Sequence, residues 1–365
     1  MAGSITVKDV ARVADVSVGT VSRVFNNHQN VTTEIRQRVL KAATELGYAG
    51  PGRGALERSR WSPDVRLREN SRVLKEVGFI YYSSVHEHIV TSNPFWSHIL
   101  YGVEAETRKS NIKVTYRAIG EIVHAPDLLL TTLSEMKLGG ILLVGPAEPR
   151  TISLIKSLKL PVVLVDNYVP GLAVDAVLGD NFEGARSAVD YLISEGHTKI
   201  AFIGGVISPG PRPINTIYTI ERRAAGYRTA LLDAGLSVNY DLYEAGDLTL
   251  EGGYIACKRL LSRYEQVPFS ALFCANDATA IGAMKALREA GLRIPEDVSL
   301  IGFDDIEMVE HLSPPLTTVR VNKEALGYIA VKSLLTRALD MDAVSVTSML
   351  DVELVKRESV IPYVS

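Results

Sequence analysis

The chain has 365 residues, 47% hydrophobic and 22% charged, with a formal net charge of -3. That length exceeds one compact core and fits two or three, and the composition is that of a folded chain rather than a disordered one. Two cysteines, Cys257 and Cys274, are too few for a disulfide framework; the first residues carry no basic cluster followed by a long apolar run, and the apolar runs at 140–145 and 161–165 are far below spanning length, so a cytoplasmic protein with no membrane partner is expected.

The net charge conceals an asymmetry. Residues 1–60 hold nine Lys and Arg against five acids, or +4, and the rest of the chain holds 30 bases and 37 acids, or -7. A basic head on an acidic body points to a polyanion partner for the head; a merely solvated surface is the plainer alternative.

Three short helices are expected at the start. Val7, Val10, Ala11 and Ala14 fall at i, i+3, i+4 and i+7, with Thr6 and Asp9 as a start signal. Ser17 caps a second helix over Val18–Asn26, with Val21 and Val24 inward. A third opens near Thr32 with Glu34 in its first turn; Ile35, Val39, Ala42, Ala43 and Leu46 give its stripe, and Gly47 its stop. About three residues between the first two helices force a steep crossing, as in a helix-turn-helix. The outer face of the second helix then carries Val18, Gly19, Thr20, Ser22 and Arg23. Small residues allow close approach to a major groove, and Arg23 reaches a guanine edge for roughly 1–3 kcal/mol of discrimination. Ser17, Thr20 and the helix-start N–H groups suit phosphate oxygens. The bland alternative is a plain three-helix packing module.

Residues 49–75 read as a linker, with Gly50, Pro51, Gly52 and Gly54 followed by a stretch rich in Arg and Glu. From Val77 strands and helices alternate. Strands are expected at Val77–Tyr82, Ile112–Ile119, Gly140–Gly145, Pro161–Asp166, Lys199–Gly204, Ala271–Asn276 and Val298–Asp304. Helices are expected at Phe95–Ser110, Phe182–Glu195, Arg222–Ala234 and Ala278–Ala290. Such alternation means parallel sheets covered on both faces, with ligands outside the carboxyl ends of the strands.

Polar residues gather at those ends. Asp166, Asn276, Asp277 and Asp304 close strands, Arg223 starts a helix after Gly205, and Phe95 and Trp96 follow the first strand. Carboxylates, an amide and an aromatic face are what a sugar site needs. Alternatives stay open: Asp277 and Asp305 also fit helix caps, Trp96 fits core, and Arg223 fits an ion pair with a surface acid such as Glu221. His86, His88 and His98 are too scattered for a metal, and no phosphate loop or nucleophile elbow is visible. No cofactor, metal or catalytic activity is expected.

The runs VKDVARVADVSVGTVSRVFNN and TTEIRQRVLKAATELGY resemble the head of the LacI/GalR family, the lactose- and galactose-repressor type. The resemblance continues through Asn93–Trp96, Asp180–Ala185, Glu195–His197, Phe202–Gly205, Arg223–Tyr227, Ala275–Asp277, Gly302–Asp305 and Pro315–Val319. It implies a homodimer of transcriptional repressors on a pseudo-palindromic operator, with an allosteric effector, of carbohydrate type, held between two lobes. It implies a helix-turn-helix domain at 1–48, a hinge at 49–75 and a type I periplasmic-binding-protein-like α/β body at 76–365. Lobe 1 would take 76–178 and 308–338, and lobe 2 would take 179–307 and 339–365. DNA contacts fall to Thr6, Ser17, Val18, Gly19, Thr20, Ser22, Arg23 and Asn26. Effector contacts fall to Asp166, Arg223, Asn276 and Asp304, with Phe95 or Trp96 stacking, while Asp277 braces the hinge. The linker departs from the pattern: Gly50, Gly52 and Gly54 each disfavour helix by about 1 kcal/mol. Leu56 is the nearest candidate for a minor-groove wedge, and Arg53, Arg58 and Arg60 are alternative phosphate contacts. Rival readings are an extracytoplasmic sugar-binding protein, which needs an export signal and no head, and an α/β enzyme.

Overall fold

Valine and alanine spacing builds the first unit of the computed structural model, which describes residues 6–25, 31–46, 74–82, 93–205 and 217–364. The chain divides into two compact units, up to Ser71 and from Arg72 onward. In the first, helices α1 (Val7–Val13), α2 (Val18–Phe25) and α3 (Thr33–Glu45) bury Val10, Ala11, Ala14, Val21, Val24, Val39, Ala42 and Ala43 together. Thr6 starts α1, donating from N and Oγ1 to Asp9 Oδ2 at 2.8 and 2.7 Å. Arg38 of α3 donates to the carbonyls of Ala14 and Asp15 at 2.7 and 3.0 Å, fastening α3 to the turn between α1 and α2.

In the second unit the first sheet has the order β11-β5-β4-β3-β1-β2, all parallel. Its strands are β1 (Glu76–Tyr81), β2 (Lys113–Ala118), β3 (Gly140–Val144), β4 (Val162–Val165), β5 (Asp175–Gly179) and β11 (Thr347–Leu350). Alternate residues of β3 serve opposite faces. Leu142 and Val144 pack with α4 (Pro94–Arg108) and α11 (Lys323–Leu339) through Ile99, Val103, Leu326 and Ala330. Ile141 and Leu143 pack with α5 (Pro126–Glu135) and α6 (Pro149–Lys156) through Leu129, Leu133, Ile152 and Ile155. Burial on both faces is why β3 and β4 read as continuous apolar runs.

A second parallel sheet has the order β7-β6-β8-β9: β6 (Ile200–Gly204), β7 (Tyr243–Ala245), β8 (Ala271–Cys274) and β9 (Ser299–Ile301). Helices α7 (Asn181–Ser194) and α8 (Tyr218–Asp233) share a core with Phe202 and Phe273. On the other face α9 (Leu250–Leu261) and α10 (Asp277–Glu289) bury Ala256, Cys257, Ala283 and Leu287 against Ile203, Leu272 and Cys274. Both cysteines are thus free and buried, and burial pushes the Cys257 thiol up to about 12.

The chain passes between the layers three times. It crosses after β5, again from β9 through β10 (Thr318–Val321) into α11, and last between β11 and β12 (Val352–Val355). The passages lie side by side. Strands β10 and β12 pair antiparallel, and Asp180 N donates to Leu350 O at 2.8 Å. The expectation that residues 339–365 lie wholly in the second lobe is corrected by β11. Thr347–Leu350 instead pairs in register with Ala176–Gly179 of the first sheet. Asp175 anchors it, accepting Val346 N at 2.8 Å while paired with Arg337 at 2.7 Å.

Close helix crossings use glycine. A Cβ on Gly102 of α4 would sit 2.1 Å from Glu324 O, and one on Gly327 of α11 would sit 2.2 Å from Ile99 O. The α4–α11 contact is therefore a backbone-to-backbone approach made twice.

Candidate functional site

The outer face of α2 is as its periodicity requires. Val21 and Val24 are buried, Ser17, Val18, Gly19, Ser22 and Arg23 are exposed, and Thr20 is half-buried. Ser17 Oγ accepts the Thr20 backbone N–H at 3.1 Å and lies 2.9 Å from Thr20 Oγ1. Only one of the two hydroxyl protons is used between them, so one is left for a phosphate oxygen. Thr6 differs: its hydroxyl proton goes to Asp9, so it acts on the helix start. Asn26, Leu56, Arg53, Arg58, Arg60 and the glycines around Pro51 lie outside the described residues, as do His86 and His88.

The second candidate centres on Arg223 of α8, which is 3% exposed. Its Nε donates to Asn181 Oδ1 at 2.7 Å and its Nη1 to the Ala275 carbonyl at 2.5 Å. Its plane lies over the Phe303 ring at 3.7 Å, and its Nη2 is 3.0 Å from Asp304 Oδ1. This ion pair with Asp304 is buried, and Asp304 Oδ1 has no further partner among the described residues. A buried carboxylate short of donors is costly unless a ligand supplies one.

Asp166, at the end of β4, joins this cluster electrostatically. Burial pushes its carboxyl up to about 7, against Arg223, which pulls it down, and with Asp304, which raises it further. Burial likewise raises Asp304, opposed by Arg223 and Lys323. Backbone geometry marks the same places: φ is 54° at Asp166, 109° at Asp304 and 52° at Asp305. Such conformations cost roughly 1–3 kcal/mol each and gather at ligand sites.

The aromatic candidates separate. Phe95 is buried in the core, and Asn93 Oδ1 accepts its backbone N–H at 3.0 Å. Trp96 is half-buried, lies over Gly145 at the end of β3, and meets Tyr81 with ring centroids 5.9 Å apart. Asn276 spends most of its amide locally. Its Oδ1 accepts Thr279 N at 3.0 Å as the cap of α10, and its Nδ2 donates to Leu248 O at 2.9 Å. Tyr168, just after β4, meets Tyr218, the first residue of α8, with centroids 5.0 Å apart.

Sequence reasoning did not single out four residues that shape this cluster. Asn181 and Phe303 orient Arg223. Lys323 of α11, 9% exposed, donates to the carbonyls of Asp304 at 2.6 Å and Asp305 at 2.9 Å. Tyr168 was legible only as a residue near a strand end. Asp277 braces the passage after β9: Thr318 Oγ1 and Ile306 N donate to it at 2.6 and 2.9 Å. Burial and the nearby Asp304 push its carboxyl up to about 8, against those two hydrogen bonds. Asp305 pairs with Arg320 and Arg357, each at 2.7 Å. Neither aspartate is the cap of α10, which is Asn276.

Two family models match the chain. Residues 6–50 match the bacterial regulatory proteins of the lacI family, and residues 189–360 match the periplasmic binding protein-like domain. The chain is 32% identical to the ribose operon repressor of Haemophilus influenzae, over 97% of this chain and 98% of that one. It is also 32% identical to the transcriptional repressor CytR of Escherichia coli, over 97% and 96%. Among solved structures, a complex of the regulator CelR with cellobiose superposes with a TM-score of 0.70 at 29% identity, covering 98% of this chain and 100% of that one. A lac repressor dimer bound to operator and the anti-inducer ONPF gives 0.66 at 25% identity, with the same coverage. An Enterococcus faecium regulator with bound ribose gives 0.65 at 26% identity, covering 80% and 100%. No helix among the described residues is long and apolar enough to cross a membrane.

Proposed function

Because the chain belongs to the lacI family of bacterial regulatory proteins, we propose that it is a transcriptional repressor whose grip on operator DNA is set by a small carbohydrate effector. Residues 1–48 read the DNA, 49–75 couple, and the body from 76 binds the effector and pairs two copies into a cytoplasmic homodimer. Ser17, Val18, Gly19, Thr20, Ser22 and Arg23 face the DNA; Asp166, Arg223, Asn276, Asp304 and Trp96 face the effector. The lobe division is that of the sequence reading, with 347–350 moved to the first lobe and 308–317, whose Val309 and Leu316 pack in the core of the second sheet, moved to the second. The protein binds its effector and does not turn it over.

The observation that carries the reading is the Arg223 cluster. A guanidinium held on three sides, beside a buried carboxylate short of donors, is built to receive hydroxyl groups. Its place at the carboxyl ends of parallel strands is where such folds bind ligands. In the mechanism, effector binding changes closure between the two sheet layers. The change alters the spacing of two heads on a pseudo-palindromic site, a coupling expected at about 1–3 kcal/mol.

Selection of binding sequences from random duplexes tests the reading. The selected site should be an inverted repeat, and a free sugar should change its affinity at least about fivefold. A selected site without two-fold symmetry, or affinity unmoved by every sugar tried, would reject it.

A further inference from the structure

We propose that Asn181 is a positioning residue with two working ends: it aims the Arg223 guanidinium, and it ties that guanidinium to the peptide on which the three passages between the sheet layers converge. This rests on reading the Arg223 cluster as the effector site, and adds the route by which that site reaches the passages.

The chain leaves the first sheet at Gly179, the last residue of β5, and Asn181 opens α7 directly afterwards. Asp180 caps that helix, its Oδ1 accepting Glu183 N at 3.0 Å. The Asn181 side chain is thus not needed at the helix start and turns inward, where it is buried. Its Oδ1 accepts Arg223 Nε at 2.7 Å, and its Nδ2 donates to Gly179 O at 2.8 Å. A guanidinium only donates and a carbonyl only accepts, so the amide fits one way round. An apolar side chain meets neither demand, and a carboxylate meets only the first.

Both ends of the amide meet firmly held groups. Asp180 N donates to Leu350 O at 2.8 Å, which bonds the residue after Gly179 to the third passage. A Cβ on Gly179 would meet Val321 of β10 at 3.3 Å and Val352 of β12 at 3.4 Å. Gly179 thus stands in the first passage and touches the second and the third. At the other end, Nη1, Nη2 and the face of Arg223 are taken up by Ala275, Asp304 and Phe303 of the second layer. Nε is the edge turned toward the passages. Helices α7 and α8, which carry the two residues, lie backbone to backbone: a Cβ on Gly226 would sit 2.3 Å from Phe182 O. A ligand that shifts the guanidinium therefore pulls on the Asn181 amide, and through it on Gly179, before it parts the helices. Coupling between sites runs through hydrogen-bonded links of this kind.

Asn181→Leu keeps the heavy-atom shape and removes both bonds, and it tests this in the full-length protein, with Asn181→Ala as a second variant. Solvent exchange of the Arg223 Nε–H is read by magnetic resonance on protein with isotope-labelled arginine, the signal being identified by its loss in Arg223→Lys. Calorimetry gives affinity for D-ribose, D-glucose, D-galactose and cellobiose, and titration gives the change in operator affinity at saturating sugar. Exchange should quicken at least about tenfold and sugar affinity fall about tenfold, the scale of one lost charged hydrogen bond. At saturating sugar the operator response should drop from at least about fivefold in the wild type to under about twofold. A residue that only stabilised the fold would lower the thermal midpoint and move none of the three. Exchange and affinity unchanged in a folded variant would show that Arg223 is held without Asn181. A full operator response at saturating sugar would show that the tie to Gly179 carries nothing. Either result overturns the inference and leaves the effector site standing. If none of the four sugars binds the wild type, the carbohydrate reading itself fails and the inference falls with it.

Discussion

Lys323 holds Asp304 by its backbone: the ammonium lies 2.6 Å from the Asp304 carbonyl oxygen, while the Asp304 carboxylate faces Arg223. A helix of the first sheet layer thus fixes a ligand-facing residue of the second. Burial lowers the Lys323 pKa, and the nearby Asp304, Asp305 and Asp277 raise it in opposition. Lys323→Met should leave the carbonyls of Asp304, Asp305 and Val321 without this donor, at roughly 1–3 kcal/mol. Effector affinity should fall about tenfold while effector-free operator affinity stays within about twofold. Calorimetry and operator titration check the two halves; an unchanged effector affinity would reduce Lys323 to packing.

Arg23→Ala should remove operator preference more than general DNA affinity. Arg23 is exposed on the face of α2 that Val21 and Val24 turn outward. A lost guanine contact costs about 1–3 kcal/mol on specific duplex only. Equal losses on specific and random duplex would make Arg23 a phosphate contact.

Arg223→Met should destabilise the body by about 3–5 kcal/mol, because it strands a buried carboxylate. Adding Asp304→Asn should recover part of that loss, since the two residues share one contact. Thermal midpoints of the single and double variants measure the coupling, and strict additivity would show none.

Effector affinity should rise with pH through about 7. The Asp166 carboxyl is raised to about 7 by burial, and hydroxyl donors favour its ionised form, so binding should release a proton. For stability the sign runs the other way. Between the ordinary value of 3.8 and about 7 the folded state holds a proton that the unfolded state has lost. The contribution is therefore fully present below 3.8 and lost as pH rises to 7. Asp166→Asn should stabilise the ligand-free protein above pH 7 by more than about 1 kcal/mol. Affinity flat from pH 6 to 8, measured in buffers of different ionisation enthalpy, would contradict the linkage.

Gly102→Ala should lower the thermal midpoint by several degrees. Its Cβ would meet the Glu324 carbonyl at 2.1 Å, a backbone atom that cannot rotate aside. Overpacking of this kind costs about 1–3 kcal/mol. An unchanged midpoint would mean that α4 and α11 separate easily.

Long apolar runs made most of the parallel layers legible in sequence. Gly140–Gly145 and Lys199–Gly204 came within a residue of β3 and β6. Of the strands not foreseen, β5 is buried but short and opens on a charged residue, β10 is interrupted by the exposed Arg320, and the others lack that signal. β7 has three residues, and β11 and β12 are half exposed with polar residues interleaved. Their strand identity comes from partners far away in sequence, as when Thr347 finds Ala176. At the site, residue type and strand-end position brought Arg223, Asp166 and Asp304 together, but hydrogen-bond direction was invisible. Asn276 looked like an amide for a ligand, and its oxygen proves committed to Thr279. Lys323 was not singled out, since nothing in its neighbours announces a buried ammonium.

The three adjacent passages between the sheet layers have a mechanical consequence. A single thread would let one body swivel, slide and roll about the other. Three threads abreast, tied by the β10–β12 ladder and by Asp180 to Leu350, resist torsion and shear and yield most readily in bending about one axis. Whatever a ligand does at the strand ends is then compressed into one angle. Two compounds of unlike chemistry that reach the same angle would be read as the same message, and a tight binder that leaves the angle alone would carry no message.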